Sequence, residues 1–294
     1  MDHVRVAATG RALNYLPQRV AATRRIFENL GLEVTERVYE PWTYAVLALE
    51  AGEADAVLGG IWVPLMYRRI GRDYVSVAQL TSSCPLVLVR RRRSAPFDWW
   101  TMDGKVVIVP GGGHCAGFIA LAAAMRDDGY DIGRTVPIHD VSEEFGVEMF
   151  VGGIGDFLVV PRLVAARIVD EVDAGIAASL ALRAGQIPWS VYYARRDVAR
   201  GRTESWIRFR AAIGAAMQWL ATTPLPRIVE GLELASLPNP HQTAETIARY
   251  QDEDVWSGAE ILDGPLRRWQ ESLQAAGLLD RCYSHDEAVL ASSR

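Results

Sequence analysis

LEAGEADAVL, residues 49–58, and FVGGIGDFLV, residues 150–159, are the two stretches that decide the fold. In each, the end of a predicted helix is followed by a glycine and, three residues later, by an aspartate, Asp55 or Asp156, that opens a short apolar strand. Glycine is common just after a helix end because it adopts positive φ without strain. The similarity between the two segments is short, but it indicates two similarly built halves.

On both sides of these stretches, apolar segments alternate between strand and helix periodicity. Strands are predicted at 4–8, 32–39, 54–58, 74–80, 106–109, 135–139 and 156–160. Helices are predicted between them at 16–30, 44–51, 62–70, 116–127, 143–151 and 161–169. Short links between strands and helices predict parallel sheets flanked by helices. After residue 194 the pattern is helical, and we expect this tail to pack onto the first half; its segments are 205–220, 243–250, 264–276 and 286–291.

The chain has 294 residues, a length that suits two lobes of about 100–150 residues each. The apolar run at 84–89 is the expected passage from one lobe to the other. We therefore predict an α/β fold in which residues 1–87 and 195–294 form lobe 1 and residues 88–194 form lobe 2. Each lobe is expected to be a mostly parallel sheet flanked by helices, with the ligand cleft between the lobes.

Composition and cysteine spacing exclude several classes of protein. The formal net charge is −5, and neither half carries the basic surplus that is typical of nucleic-acid binding. Lys105 is the single lysine and lies in a predicted turn, which argues against pyridoxal chemistry. Cys84, Cys115 and Cys282 show neither a paired disulfide pattern nor metal-site spacing. We therefore predict no nucleic-acid partner, no metal and no cofactor.

Five segments spread along the chain carry a family resemblance: NYLP at 14–17, IFENLGLEV at 26–34, LEAGEADA at 49–56, GQIPWSV at 185–191 and LRRWQESLQAAGL at 266–278. Together they resemble the substrate-binding proteins for sulfonates, nitrate-like anions and thiamine-precursor pyrimidines. The resemblance implies a two-lobed, type II periplasmic-binding-protein fold with its ligand in loops at the carboxyl ends of the strands. It also implies lobe closure by a hinge motion. Because the segments are mostly scaffold, the resemblance identifies the fold better than the ligand.

The first residues, MDHVRV, show no basic leader followed by an apolar run. No stretch reaches the ~18 uninterrupted apolar residues of a membrane span. We therefore expect a cytoplasmic protein, or a periplasmic or extracellular one if a leader was removed. A transporter permease would be a partner only of an exported protein. Some relatives of this fold are cytoplasmic enzymes, including sulfinate-cleaving and decarboxylating ones, so an enzyme stays among the alternatives.

The loop PGGGHC at 110–115 is the most specific local feature. Gly112 and Gly113 would let the backbone approach a ligand, and the following helix would offer free N–H groups to an anion. A plain strand-to-helix turn is the structural alternative. His114 is a candidate ligand contact and, in an enzyme, an acid or base. Cys115 would then be a nucleophile with a lowered pKa, although a small buried hydrophobic role is the favoured interpretation.

Seven further residues follow predicted strand ends and are candidate ligand contacts. An arginine there could pair with a carboxylate, and an asparagine could bind the ligand or only fix the turn. Aromatic side chains could hold a flat or apolar part of the ligand, and serine hydroxyls could hold an anion; packing inside a lobe is the alternative. The candidates are Arg11, Asn14, Tyr15, Trp42, Trp62, Ser82 and Ser83.

The sequence leaves two functions open. The favoured one is a binding protein for a small organic anion or heteroaromatic molecule, held in the cleft between the lobes. The alternative is a cytoplasmic lyase or hydrolase, similar to a desulfinase or decarboxylase, that uses His114 or Cys115. The sequence contains no G-x-S-x-G, G-x-x-x-x-G-K or H-E-x-x-H motif that would favour the enzyme.

Overall fold

A computed structural model describes residues 1–93, 96–111, 115–233 and 239–291. The chain divides into two compact units. Unit 1 comprises Met1–Ser82, Ile187–Ala235 and Asp254–Arg294, and unit 2 comprises Ser83–Gln186 and Ser236–Glu253.

The regular elements of the described residues follow the predicted alternation of strands and helices. The strands are β1 (Asp2–Ala8), β2 (Leu32–Val38), β3 (Ala56–Gly60), β4 (Tyr74–Ser83), β5 (Leu86–Arg91), β6 (Val106–Ile108), β7 (Val136–Ile138), β8 (Phe157–Pro161), β9 (Ala174–Ser179) and β10 (Gln186–Arg195). The helices are α1 (Leu16–Thr23), α2 (Ile26–Asn29), α3 (Thr43–Glu50), α4 (Trp62–Tyr67), α5 (Ala116–Asp127), α6 (Glu143–Val151), α7 (Arg162–Glu171), α8 (Leu180–Arg183), α9 (Arg196–Arg200), α10 (Thr203–Thr222), α11 (Leu225–Gly231), α12 (Pro240–Asp252), α13 (Asp263–Ala275) and α14 (His285–Ala288).

The strands form two sheets with the same plan. Sheet 1 has the order β2-β1-β3-β10-β4, and sheet 2 has the order β7-β6-β8-β5-β9. The first three strands of each order are parallel. The fourth strand, β10 or β5, runs antiparallel to its neighbour β3 or β8. The predicted α/β architecture with a helical tail is confirmed, and each sheet is mixed because its fourth strand reverses direction.

The two compact units and the predicted lobes differ in their boundaries at residues 83–87, 187–194 and 236–253. The lobe boundaries therefore stay a prediction. Residues 187–194 lie in unit 1 because they belong to β10, which pairs with β3. The expectation that the whole tail packs onto the first half is wrong for α12. That helix packs against α7 of unit 2, and the Gln242 side chain donates to Asp170 at 3.1 Å.

The two matching aspartates, Asp55 and Asp156, join neighbouring parallel strands in the same way, β1 to β3 in sheet 1 and β6 to β8 in sheet 2. In sheet 1, the Asp55 N–H donates to the Arg5 carbonyl at 2.8 Å, and the Arg5 N–H donates to Asp55 Oδ2 at 2.8 Å. In sheet 2, the Asp156 N–H donates to the Val106 carbonyl at 2.9 Å, and the Val106 N–H donates to Asp156 Oδ2 at 2.9 Å. Each carboxylate thus satisfies a backbone donor at the point where the parallel pairing begins.

Asp55 carries additional ionic contacts. The Arg5 guanidinium donates to Asp55 through Nε at 3.2 Å and through a terminal nitrogen at 2.9 Å, and Arg202 lies 3.2 Å away. Burial raises the pKa of Asp55, but the hydrogen bonds from Arg5 and the charges of both arginines outweigh this effect, so the pKa is lowered overall. The ionised carboxylate therefore stabilises the folded chain.

A second pair of aspartates, Asp73 and Asp173, directly precedes equivalent edge strands of the two sheets. The Arg196 N–H donates to the Asp73 carbonyl at 2.9 Å, just before β4. The Arg92 N–H donates to the Asp173 carbonyl at 2.9 Å, just before β9. Because each contact links the end of the antiparallel strand to the start of the edge strand, β4 and β9 occupy equivalent places in the two sheets.

Segments of the C-terminal tail cover the outer edge of β4. The Gln79 and Ser82 N–H groups donate to the carbonyls of Ala259 and Val255 at 2.8 and 2.9 Å. The Leu290 N–H donates to the Ser76 carbonyl at 2.9 Å, beside a parallel bridge between Ser76 and Val289. An edge strand exposes unpaired backbone groups that must find partners, and in sheet 1 the tail supplies them.

We predict that Asp55→Asn lowers the free energy of unfolding by about 1–2 kcal/mol at pH 7, because the bidentate contact with Arg5 is lost while part of that arginine stays solvated. Since the folded pKa of Asp55 is lowered, its contribution is present above the unfolded pKa of about 3.9 and is lost as the pH falls below it. Urea unfolding at pH 7 and pH 3 measures both effects. Glu53→Gln, an exposed neighbour, is the matched control, and equal stability of the Asp55 variant and the wild type would contradict the prediction.

Candidate functional site

A buried polar cluster lies at the carboxyl-terminal edge of the parallel strands of sheet 1. The Asn14 side-chain amide donates to Thr81 Oγ1 and Ser190 Oγ, each at 3.3 Å. The indole N–H of Trp256 donates to the Asn14 carbonyl at 3.0 Å. Asn14, Thr81 and Ser190 are all buried. The loop after β1 is thereby fixed to β4, β10 and the tail by neutral groups alone.

Tyr15 directly follows Asn14 in the same loop and is only partly buried. Its hydroxyl lies 3.2 Å from Thr9 Oγ1. Burial raises the pKa of Tyr15, against opposing hydrogen bonds to Thr9 and Ser190. The phenol therefore stays protonated at neutral pH and can donate a hydrogen bond, so this part of the site offers uncharged donors.

Trp62 is held in place over a glycine. A Cβ atom at Gly60 would lie 2.1 Å from the Trp62 ring, so only glycine permits this position of the indole. The ring also meets Trp189 edge-on at 5.3 Å between centroids. Gly60 pairs with Ser190 between β3 and β10, which places Trp62 beside the polar cluster. A partly exposed, rigid indole next to neutral donors can stack on a flat ligand.

Two predicted contacts of the same unit stand apart from the cluster. Arg11 is exposed, and its charge lies close to the Glu36 carboxylate. Trp42 is also exposed and precedes α3. These two side chains therefore have no defined place in the cluster.

The two serines at the end of β4 differ in their surroundings. Ser82 Oγ donates to the Val255 carbonyl at 3.0 Å and accepts from the Ser257 N–H at 3.0 Å, so it holds the tail. Ser83 Oγ is buried and has no hydrogen-bond partner within the described part of the chain. Of the two, Ser83 is therefore the hydroxyl with capacity left for a ligand.

Most of the glycine loop cannot be compared with its prediction, because Gly112, Gly113 and His114 lie outside the described residues. Cys115 precedes α5, and its Sγ lies 3.5 Å from the Pro110 carbonyl oxygen. The expected lowering of the Cys115 pKa is wrong in direction. Burial raises the pKa of this thiol, and the backbone N–H groups at the start of α5 oppose the rise without cancelling it.

Thr81, Ser190 and Trp256 were not among the predicted site residues. Thr81 directly precedes the predicted serine pair, and Ser190 lies inside one of the five family-like segments, so both carried a weak signal. Trp256 lies between two helices of the tail, far along the chain from the loop that it contacts, and no local pattern marks it.

The comparisons with known proteins agree with this architecture. No protein-family model matches the chain. A Bacillus subtilis (strain 168) protein described as "Putative binding protein YtlA" is 22% identical over 269 residues, which span 90% of this chain and 80% of that protein. The periplasmic aliphatic sulphonate binding protein SsuA from Escherichia coli is 14% identical, with a TM-score of 0.76 over 98% of this chain and 97% of its own. The ligand-binding component of an ABC-type import system from Staphylococcus aureus is 10% identical, with a TM-score of 0.73 over 99% of this chain and 97% of its own.

The predicted cytoplasmic location is wrong. The prediction depended on the first residues of the chain, whereas the similar structures are periplasmic or ABC-import binding proteins. Within the described ranges, no helix is both long enough and apolar enough to span a bilayer.

The structural similarity extends over nearly the whole chain and includes both sheets. Sequence identities of this size establish a shared fold rather than a shared ligand. The chain therefore has the fold of the periplasmic binding proteins.

Proposed function

We propose that the protein binds a small organic anion or heteroaromatic molecule at the carboxyl-terminal edge of sheet 1. The observation that carries the proposal is the cluster of Asn14, Thr81 and Ser190. Tyr15 follows Asn14 in the same loop, and Trp62 follows the end of β3, where Gly60 pairs with Ser190. Ligand sites combine an apolar or aromatic wall with a few well-placed polar groups. The site also lies where open α/β sheets bind their ligands.

The similarity to import-system proteins supports the same function. The Escherichia coli and Staphylococcus aureus proteins are named as binding components. We therefore propose that this chain delivers its ligand to a membrane permease. Arg11 would pair with an anionic group of the ligand, and Trp62 would stack on a flat part of it.

The enzyme alternative receives no support from the comparisons. The Cys115 thiol, with its pKa raised by burial, is mostly protonated at neutral pH and is therefore a weak nucleophile. His114, the other proposed catalytic group, lies outside the described residues. Binding without turnover is therefore the function that the geometry supports best.

A ligand screen by thermal shift tests the proposal. The screen covers organic acids, sulfonates, sulfinates and pyrimidines, and mass spectrometry then shows whether each hit stays intact. A ligand at a hundred times its Kd stabilises the folded state by about 2.7 kcal/mol, which is a readily measured rise in Tm. Binding of an intact compound is the expected result, and the absence of any stabilising compound would contradict the proposal.

Arg11→Gln should separate the two ligand classes. We expect the variant to bind anionic ligands roughly fivefold to tenfold more weakly and to bind uncharged heteroaromatic ligands with unchanged affinity, because only the anions need the guanidinium. Calorimetric titration measures both. Arg25→Gln, which changes an exposed arginine paired with Glu28, is the control. Unchanged affinity for anions in the Arg11 variant would remove Arg11 from the site.

We predict that Cys115 reacts with iodoacetamide at pH 7.5 more slowly than free cysteine does, because burial disfavours its thiolate. The rate is measured by mass spectrometry in a Cys282→Ser background, where the remaining thiol, Cys84, is buried. Faster alkylation than that of free cysteine would show an activated thiol and would revive the enzyme alternative.

A further inference from the structure

A groove of about 430 Å³ lies in unit 2 between α7, β9 and α12. Small and apolar side chains line the groove, including Ala166, Ala178 and Ile176. The volume falls in the usual range for small-ligand sites. This groove is separate from the candidate site described above, whose polar cluster belongs to sheet 1 of unit 1.

One wall of the groove is an open sheet edge. β9 is one of the two edge strands of sheet 2, and no backbone group in the described ranges pairs with its outer side. Ile176, in the middle of β9, is 38% exposed. An open edge of this kind can accept a further strand through main-chain hydrogen bonds.

The equivalent edge in unit 1 is already filled. Asp73 and Asp173 make the same backbone contact just before β4 and β9, so Ser76 and Ile176 occupy corresponding positions. At Ser76, the tail residue Val289 forms a parallel bridge. In unit 1, a parallel extended segment therefore pairs with the edge strand β4. In unit 2, the corresponding position on the edge strand β9, Ile176, lines the groove.

Side chains of opposite charge line the two ends of the groove, Asp170 of α7 at one end and Arg249 of α12 at the other. At one end, Asp170 accepts a hydrogen bond from Gln242 at 3.1 Å. At the other end lies Arg249, one helical turn before Glu253, which is ion-paired with Arg162 and accepts from Ser179 Oγ at 2.9 Å. The rise of ~1.5 Å per residue along α12 separates the two ends by about 10–12 Å.

We propose that this groove binds a free peptide of three or four residues as an additional strand parallel to β9. The peptide ammonium lies at Asp170 and its carboxylate at Arg249, because β9 runs from the Asp170 end to the Ser179 end. An extended chain rises ~3.3 Å per residue, so about three to four residues fill the distance between the charges. Ala166 and Ala178 leave room for small side chains.

Tetra-alanine is the probe for the test, and its N-acetylated, C-amidated form is the matched control. Calorimetric titration should show binding of the free peptide and at least roughly fivefold weaker binding of the blocked one, since each end loses a charge contact. Hydrogen exchange of the β9 amides should slow when the free peptide is bound, because strand addition gives them partners.

Asp170→Asn and Arg249→Gln change exposed side chains, and each should lower the affinity for tetra-alanine roughly fivefold. Arg267→Gln, an exposed arginine of α13 near Asp263, should leave the affinity unchanged. The proposal is overturned if tetra-alanine at about 1 mM shows no binding, or if the blocked peptide binds equally well. Unprotected β9 amides in the complex would likewise overturn it.

Discussion

The contact between the Asp55 carboxylate and the Arg5 backbone is the constraint on which sheet 1 depends. It fixes the register of β1 against β3 at the point where their pairing begins. The register continues to the opposite edge, where the Thr9 N–H donates to the Leu58 carbonyl at 3.0 Å. The loop after β1 and the glycine pair that ends β3 are therefore held side by side, and Tyr15 and Trp62 lie in the segments that follow β1 and β3. Asp156 and Val106 repeat the arrangement in sheet 2, so one short motif organises both sheets.

Much of the fold could be predicted because its signals are local. Helix ends marked by glycine, apolar strands and the two aspartates each depend on a few neighbouring residues. The direction of β10 and the position of α12 are not local properties. A fully apolar strand such as Val191 to Ala194 pairs equally well in either direction, and an amphipathic helix shows that one face is buried without showing its partner. Those two features therefore differ from the sequence-based expectation.

The site was predicted only in part for a related reason. Asn14 and Tyr15 follow the first strand, and that position alone made them candidates. Thr81, Ser190 and Trp256 reach the same cluster from distant parts of the chain, so only the folded structure brings them together. The Cys115 pKa was misjudged because the helix start was visible in the sequence, whereas the burial that outweighs it was not. The location of the protein likewise could not be judged from the first residues.

The candidate site offers neutral donors and one rigid indole, and we propose that it holds a small molecule without converting it. Native mass spectrometry of the protein with mixtures of organic acids, sulfonates and pyrimidines tests this claim most directly. The account predicts a mass increase equal to one intact ligand per chain. Absence of any bound ligand, or the appearance of a product in place of the added compound, would contradict it.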